Sequence, residues 1–385
     1  MVQAFTTLPT RSGSPAACGA HRRRARFVAA ALVLASATAA QAAVFGADDR
    51  VGLGREPHQL KSRIGVLFSP KSRTMCTAFC VADDVIATAA HCLFRTAGDP
   101  LPPIEDFRFT RGKDGAAGGS ARIAGFGTRS SLQNVISGSS SLSVRPPIDA
   151  TRDWALARLS APVCRGHTLK LAPQTPAALG GAASSQRLFL VGYHRDFADW
   201  RIAISRECGV KRMGPDAEGE GFRRDFVDPE RLILHTCDTG GASSGAPLLM
   251  QGPNGEPVVV GINVGTYVQS KVMVQNGEVI HRFKAAEIAN TAADIGPVAE
   301  MLPVLKHTSV LASGTHQVRE LQRLLKLLNV YTGAVDGVYG PMLRVAIEQH
   351  ERRQRLPVTG LPTPSLLQQL GHQVPPIETG AIPQR

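Results

Sequence analysis

Beyond residue 42 this 385-residue sequence has no apolar run long enough to cross a bilayer, which takes roughly 20 residues of helix. No membrane-spanning segment is therefore expected in that part of the chain. It has no Cys-x-x-Cys pair and no Cys/His spacing of the structural zinc type, which sets metal-held folding behind disulfide chemistry as a use for its cysteines. It has no nucleic-acid-binding motif, and its charges are interspersed. They read as a solvated surface with at most an affinity for anionic envelope polymers. Internal repeats are absent, and so, before Glu300, are long amphipathic helices.

What the chain does have is 38 glycines, 26 prolines and many short Val, Ile and Leu runs, with only 19% charged residues and 43% hydrophobic ones. That composition predicts a packed, loop-rich β protein in which helix is the minority. The length exceeds one typical domain, so two or three units are expected.

At the N-terminus, Arg22, Arg23, Arg24 and Arg26 precede an apolar run from Phe27 to Ala39 and then the small-residue end Ala40-Gln41-Ala42. This is the pattern of a cleaved export signal, expected over 1–42. A membrane anchor is the alternative, but the run falls short of a span. Removing 1–42 deletes five arginines and no acid, which lowers the formal charge from +12 to +7. Cys18 leaves with it, and an even six cysteines stay: Cys76, Cys80, Cys92, Cys164, Cys208 and Cys237. That count suits an oxidising compartment and up to three disulfides. The expected location is exported, periplasmic or secreted.

From about Val44 to Glu300, short apolar segments alternate with Gly, Pro, Asn, Asp and Ser, the habit of a barrel or sandwich. Asn254-Gly255 between Leu248-Leu249-Met250 and Val258-Val259-Val260-Gly261-Ile262 predicts a hairpin, because both residues accept positive φ. Gly115 to Ser143 and Met213 to Gly221 read as extended loops. After Glu300 the pattern turns helical, with Val318, Leu321, Leu324, Leu325 and Leu328 on one face. A second helix is expected from Pro341, with Val345, Ala346 and Ile347, and a third from Thr363 as N-cap and Pro364. Residues 301–313 are expected as a linker and 372–385 as a loose tail.

Three blocks carry chemistry. Val85-Ile86-Ala87-Thr88-Ala89-Ala90-His91-Cys92 is an apolar strand that delivers a histidine among small residues. Asp153-Trp154-Ala155-Leu156-Ala157-Arg158-Leu159 puts an acid at the mouth of another strand. Cys237-Asp238-Thr239-Gly240-Gly241-Ala242-Ser243-Ser244-Gly245-Ala246-Pro247 is a small-residue turn able to expose a serine and its amides. Together they supply a nucleophile, a base, an acid to orient the base, and oxyanion donors. Taken singly, each also fits a packed histidine, a strand-capping acid and a common glycine-rich turn. Asp149 is a rival acid, in an irregular stretch after Pro146-Pro147. Ser243 is a rival nucleophile, though Ser244 precedes Gly245-Ala246-Pro247.

Thr88-Ala89-Ala90-His91-Cys92, Asp153-Trp154-Ala155-Leu156 and Ser244-Gly245-Ala246-Pro247, in that order, resemble the signature blocks of the trypsin-like serine peptidases over about residues 44 to 300. The cysteine-bearing block before the serine looks closest to bacterial members related to glutamyl endopeptidases. The resemblance implies two antiparallel six-stranded β-barrels of the chymotrypsin type across 43–300. It implies a triad of His91, Asp153 and Ser244, hydrolysing protein or peptide bonds through an acyl-enzyme with no metal and no organic cofactor. The backbone amides of Ala242 and Ser244 would form the oxyanion hole. At Ala242 the sequence departs from the family's glycine, keeping the N–H but adding a Cβ. The family's histidine-loop disulfide corresponds to Cys76–Cys92. Cys208–Cys237 resembles a second pair beside the nucleophile, which leaves Cys80 for Cys164.

Asp238 lies six residues before Ser244, where trypsins place the acid that receives Arg or Lys, and where glutamyl-specific relatives look similar. Asn263 stands where those relatives carry histidine. Asp238, Thr239, Asn263 and Gly265 are candidate pocket residues, with a basic P1 preference or a purely structural Asp238 as the two readings.

Val318-Arg319-Glu320-Leu321-Gln322, Val335-Asp336-Gly337-Val338-Tyr339-Gly340-Pro341 and Leu356-Pro357-Val358-Thr359-Gly360 resemble the peptidoglycan-binding domain type 1, a three-helix module expected over 314–371. It implies peptidoglycan as a partner; the departures are His350, Glu351 and Leu343, and the alternative is an inert spacer. A catalytically silent protease-fold binding protein is the rival function, and a peptidoglycan amidase a third. Neither nucleic acid nor, after signal cleavage, a transmembrane segment is expected, and the sequence says nothing of oligomeric state.

Overall fold

The computed structural model describes residues 2–7, 43–54, 59–94, 104–112, 118–125, 129–143, 145–197, 201–211, 223–275, 278–308 and 311–373. Residues 8–42 of the leader, the loop 213–221 and the tail from 374 lie outside the described residues.

Among the described residues the chain is mainly β, in two sheets followed by four helices. The first sheet runs Ser120–Arg122, Arg108–Arg111, Ile64–Ser69, Thr74–Ala82, Val85–Thr88, Ala155–Arg158, Val135–Ser137, all neighbours antiparallel. An isolated bridge from Ile123 to Leu159 and the bond from Ala124 N to Arg158 O draw its far edge back onto the strand Ala155–Arg158. The sheet thereby curls toward closure around Phe79, Ile86, Phe107, Phe109 and Leu156, all buried. Strands buried on both faces explain why 85–88 reads as an unbroken apolar run.

The second sheet runs Val210–Lys211, Leu232–His235, Glu278–Asp294, Pro257–Gln275, Pro247–Gln251, Leu188–Tyr193, Ile202–Ser205, Val51–Gly52. The expected turn at Asn254-Gly255 joins two of these strands, with Gly255 at φ 77°. Among the described residues the sheets hold seven and ten strands, against the expected six and six. The surplus comes partly from two- and three-residue strands, too short to leave an alternation in sequence. Two strands, Val2–Thr7 and Lys170–Leu171, pair in parallel with Pro257–Gln275.

The expected linker 301–313 begins inside a helix, Gly296–His307, which lays Val298 and Leu305 onto the first core. Arg158 also donates to the Leu305 carbonyl. Three further helices, Thr315–Leu327, Pro341–Arg353 and Pro364–Gln373, close around Leu321, Leu325, Ile347 and Leu370. Gln322 holds their connecting turn together, with Nε2 donating to Asp336 and Oε1 accepting from Gly337 N. The conspicuous Asp-Gly-Val-Tyr-Gly block thus has a structural job. Three disulfides join Cys76 to Cys92, Cys80 to Cys164 and Cys208 to Cys237.

Candidate active site

Strands Val85–Thr88 and Ala155–Arg158 are antiparallel neighbours, with Thr88 opposite Ala155. The residues just past one strand therefore meet those just before the other, which brings His91, on the short helix Ala90–Leu93, to Asp153. The Asp153 carboxylate grips this histidine twice, accepting from its backbone N–H at 2.8 Å and bonding ring Nδ1 at 2.6 Å. The acid side chain is 10% exposed and the imidazole 29%. With Nδ1–H committed to the carboxylate, Nε2 is left with its lone pair for a proton. Ala87, Ala89 and Ala90 are fully buried, and their small side chains let the strand ends approach.

Ser244 lies in a turn pinned to the first sheet by Thr77. Thr77 N donates to Ser244 O at 2.9 Å and Thr77 Oγ1 donates to Ala242 O at 2.9 Å. The same hydroxyl accepts from Tyr193 N at 3.0 Å. Gly245, at φ 81°, has no room for a side chain, since a Cβ would strike Thr77 O and Thr88 Oγ1. Cys92 Sγ approaches Ser244 O at 3.9 Å, so the Cys76–Cys92 disulfide sits between the histidine helix and the serine turn. Cys76, His91 and Cys92 also cluster as metal ligands would, but two sulfurs bonded to each other leave only the imidazole.

Within the turn, the amides of Ser243, Gly245 and Ala246 donate to Gly240, Asn263 and Ser243 carbonyls. Those of Ala242 and Ser244 make no hydrogen bond among the described residues, and nor does Ser244 Oγ. Ala242 adopts φ 80°, a conformation that suits glycine and strains an L side chain. Ser243 is fixed instead, donating to Gly240 O at 2.7 Å and receiving Asn263 Nδ2 at 3.3 Å. Asp149 caps a loop, receiving Ser143 N and pairing with Arg152 at 3.7 Å.

Residues 76–262 match the family model of the trypsin-like peptidase domain, and residues 315–370 match that of the type 1 peptidoglycan binding domain. The chain carries a trypsin-like peptidase domain. Among solved structures, a Glu endopeptidase in complex with MPD is similar, with 16% identity over 68% of this chain and 99% of that one and a TM-score of 0.45. The curated proteins contain no match.

The candidate pocket residues are all engaged within the fold. Both oxygens of Asp238 are taken, by Phe45 N at 2.8 Å and Asp49 N at 2.9 Å. The acid is thereby committed to an N-terminal strap, Ala43 to Arg50, that also pairs Ala43 with Thr239. Burial raises the Asp238 pKa, and the two amide donors oppose that rise. A basic P1 residue would meet a carboxylate whose two oxygens already accept from the strap. Asn263 also faces inward: Nδ2 donates to Ser243 O at 3.1 Å and Oδ1 meets His235 Nε2 at 3.2 Å. Full burial depresses His235 to about 4, so it is a neutral support behind the serine turn. Gly265 pairs with Thr291 across the long hairpin.

Two contributors escaped sequence reading. Thr77 lies in an ordinary apolar strand, and its partners are 116 and 165 residues away. Arg50 is buried against Asp48 and Asp196, 2.7 Å from each. No local motif marks either.

Proposed function

We propose that the chain is an exported serine endopeptidase held at peptidoglycan by its C-terminal module. The observation that carries this reading is the double grip of Asp153 on His91, beside a turn that presents Ser244. Ser244 Oγ attacks the scissile carbonyl while His91 Nε2 takes its proton. The amides of Ala242 and Ser244 receive the oxyanion, and the imidazolium then protonates the leaving amine. Water, deprotonated by the same imidazole, resolves the acyl-enzyme. A general base of this kind supplies about 10²–10⁴ in rate, and each oxyanion donor about 10²–10³.

Export is supported by the leader pattern and by three disulfides, which persist in oxidising compartments. Wall attachment is supported by the match at 315–370. Treating the mature protein with a fluorophosphonate tests the reading. A single adduct on Ser244, lost in Ser244→Ala and His91→Ala, is expected; an adduct on Ser243, or none on folded protein, would overturn it.

A second reading, a silent protease-fold binding protein, is favoured by the strained Ala242 at φ 80°. Folded protein that binds peptides but resists the probe would select it.

A further inference from the structure

Arg344, on the middle helix of the C-terminal module, is fully buried. Only its Nε bond, to Glu348 Oε1 at 3.0 Å, stays within its own helix. Nη1 reaches into the peptidase domain, donating to Leu132 O at 3.0 Å and Val135 O at 2.9 Å, and Nη2 donates to Ser137 Oγ at 3.3 Å. Its guanidinium carbon lies 5.1 Å from the ring centroid of Phe94. Phe94 is 1% exposed and closes the histidine helix, its N–H bonded to Ala90 O at 2.8 Å.

The same helix reaches the other half of the pair. Arg352 Nη2 donates to Gly138 O at 2.7 Å. Gly138 N in turn donates to Trp154 O at 3.0 Å. A Cβ on Gly138 would strike Arg152 O and the Trp154 indole, so this glycine is pressed against both neighbours of Asp153. Glu348 completes the seam by accepting from Ser140 N at 3.3 Å.

We propose that the helix Pro341–Arg353 positions the catalytic pair, Arg344 bracing His91 through Phe94 and Arg352 bracing Asp153 through Gly138. The module is then part of the catalytic unit as well as a wall anchor. Buried charges with this many partners fix one docking register, because any slip strands a guanidinium or carboxylate without partners. Arg344 and Arg352 are positioning residues, and none of their contacts is to Ser244. The inference rests on the serine-peptidase reading above.

The test uses the full mature chain and a fluorophosphonate probe, whose phosphorus is attacked by Ser244 Oγ with loss of fluoride and transfer of the serine proton to His91. Saturation kinetics separate probe affinity, KI, from the bond-forming rate, kinact. Arg352→Met is expected to lower kinact about tenfold, and Arg344→Met by more, with KI held, since small misplacements of catalytic groups cost up to about 100-fold. Arg352→Lys, which keeps a donor for Gly138 O, should recover part of the loss. Arg323→Met, removing a surface pair with Glu320 on the same module, should change nothing. Wild-type kinact in Arg352→Met and Arg344→Met would overturn the proposal. If Arg344→Met does not fold, Arg352→Met, at a side chain 29% exposed, decides alone. An unlabelled wild type would remove the peptidase reading itself, an outcome distinct from equal labelling of all variants.

Discussion

The hydroxyl of Thr77 donates to the carbonyl of Ala242 across the gap between the two sheets, 165 residues apart in sequence. It is the point at which the sheet bearing His91 fixes the conformation of the turn bearing Ser244.

Thr77→Val keeps the shape and removes the hydroxyl, leaving Tyr193 N–H and Ala242 C=O without this partner. Leaving the Ala242 carbonyl unsatisfied costs about 1–3 kcal/mol, and its release lets the neighbouring amides of the turn drift. A lower denaturation midpoint and about a tenfold slower phosphonylation of Ser244 are expected. Phosphonylation kinetics beside a urea titration would check both.

Ala242→Gly removes the Cβ from a position at φ 80°. Strain of this kind is worth about 1–3 kcal/mol, offset by the extra freedom glycine has when unfolded, about 0.4–1 kcal/mol. The variant should unfold at the same or higher temperature and react with the probe at least as fast. Ala242→Val, branched at Cβ, should lose both stability and labelling.

His194 is buried with neither ring nitrogen bonded among the described residues. Burial, reinforced by Arg50 and opposed by Asp196 and Asp48, lowers its pKa from 6.5 to about 4. The folded state therefore binds fewer protons than the unfolded one between those values. Stability is full above pH 6.5 and declines as pH falls toward 4. His235 acts in the same direction, while Glu351, raised by burial to about 6, acts in the opposite one. His194→Leu should match wild type at pH 7 and exceed it by about 2 kcal/mol at pH 5. Urea midpoints at the two pH values measure the difference.

Replacing Cys76 and Cys92 by serine opens a loop with a sequence separation of 16, for which chain entropy gives about 3 kcal/mol. Labelling of Ser244 should also slow, because the disulfide lies between the histidine helix and the serine turn. Equal midpoints for the variant and the oxidised wild type would contradict the first expectation.

The sequence was most legible where a reactive residue and its packing partners are adjacent in the chain. His91 and Asp153 stand beside the strands that align them, and Gly245 beside the serine whose turn needs it. Asp238 could not be read, because sequence offset from Ser244 does not say which way a carboxylate faces, and its partners are 189 and 193 residues distant. The helix Gly296–His307 runs through the expected linker boundary at 301, and Pro303 inside it, a residue type that usually ends helices, weakens any helical signature there. Arg344 looks like any helix-surface cation, and only tertiary contact distinguishes it from Arg323.

Arg344 and Val135 meet across 209 residues. Synthesis runs from the N-terminus, so both sheets, with His91, Asp153 and Ser244, are complete before the helix Pro341–Arg353 exists. A chain that terminates early, or is clipped between the domains, would carry His91, Asp153 and Ser244 without the contacts that Arg344 and Arg352 make. On the bracing proposed above, such fragments would label slowly with the phosphonate probe, and full reactivity would wait until the helix Pro341–Arg353 has been made and docked.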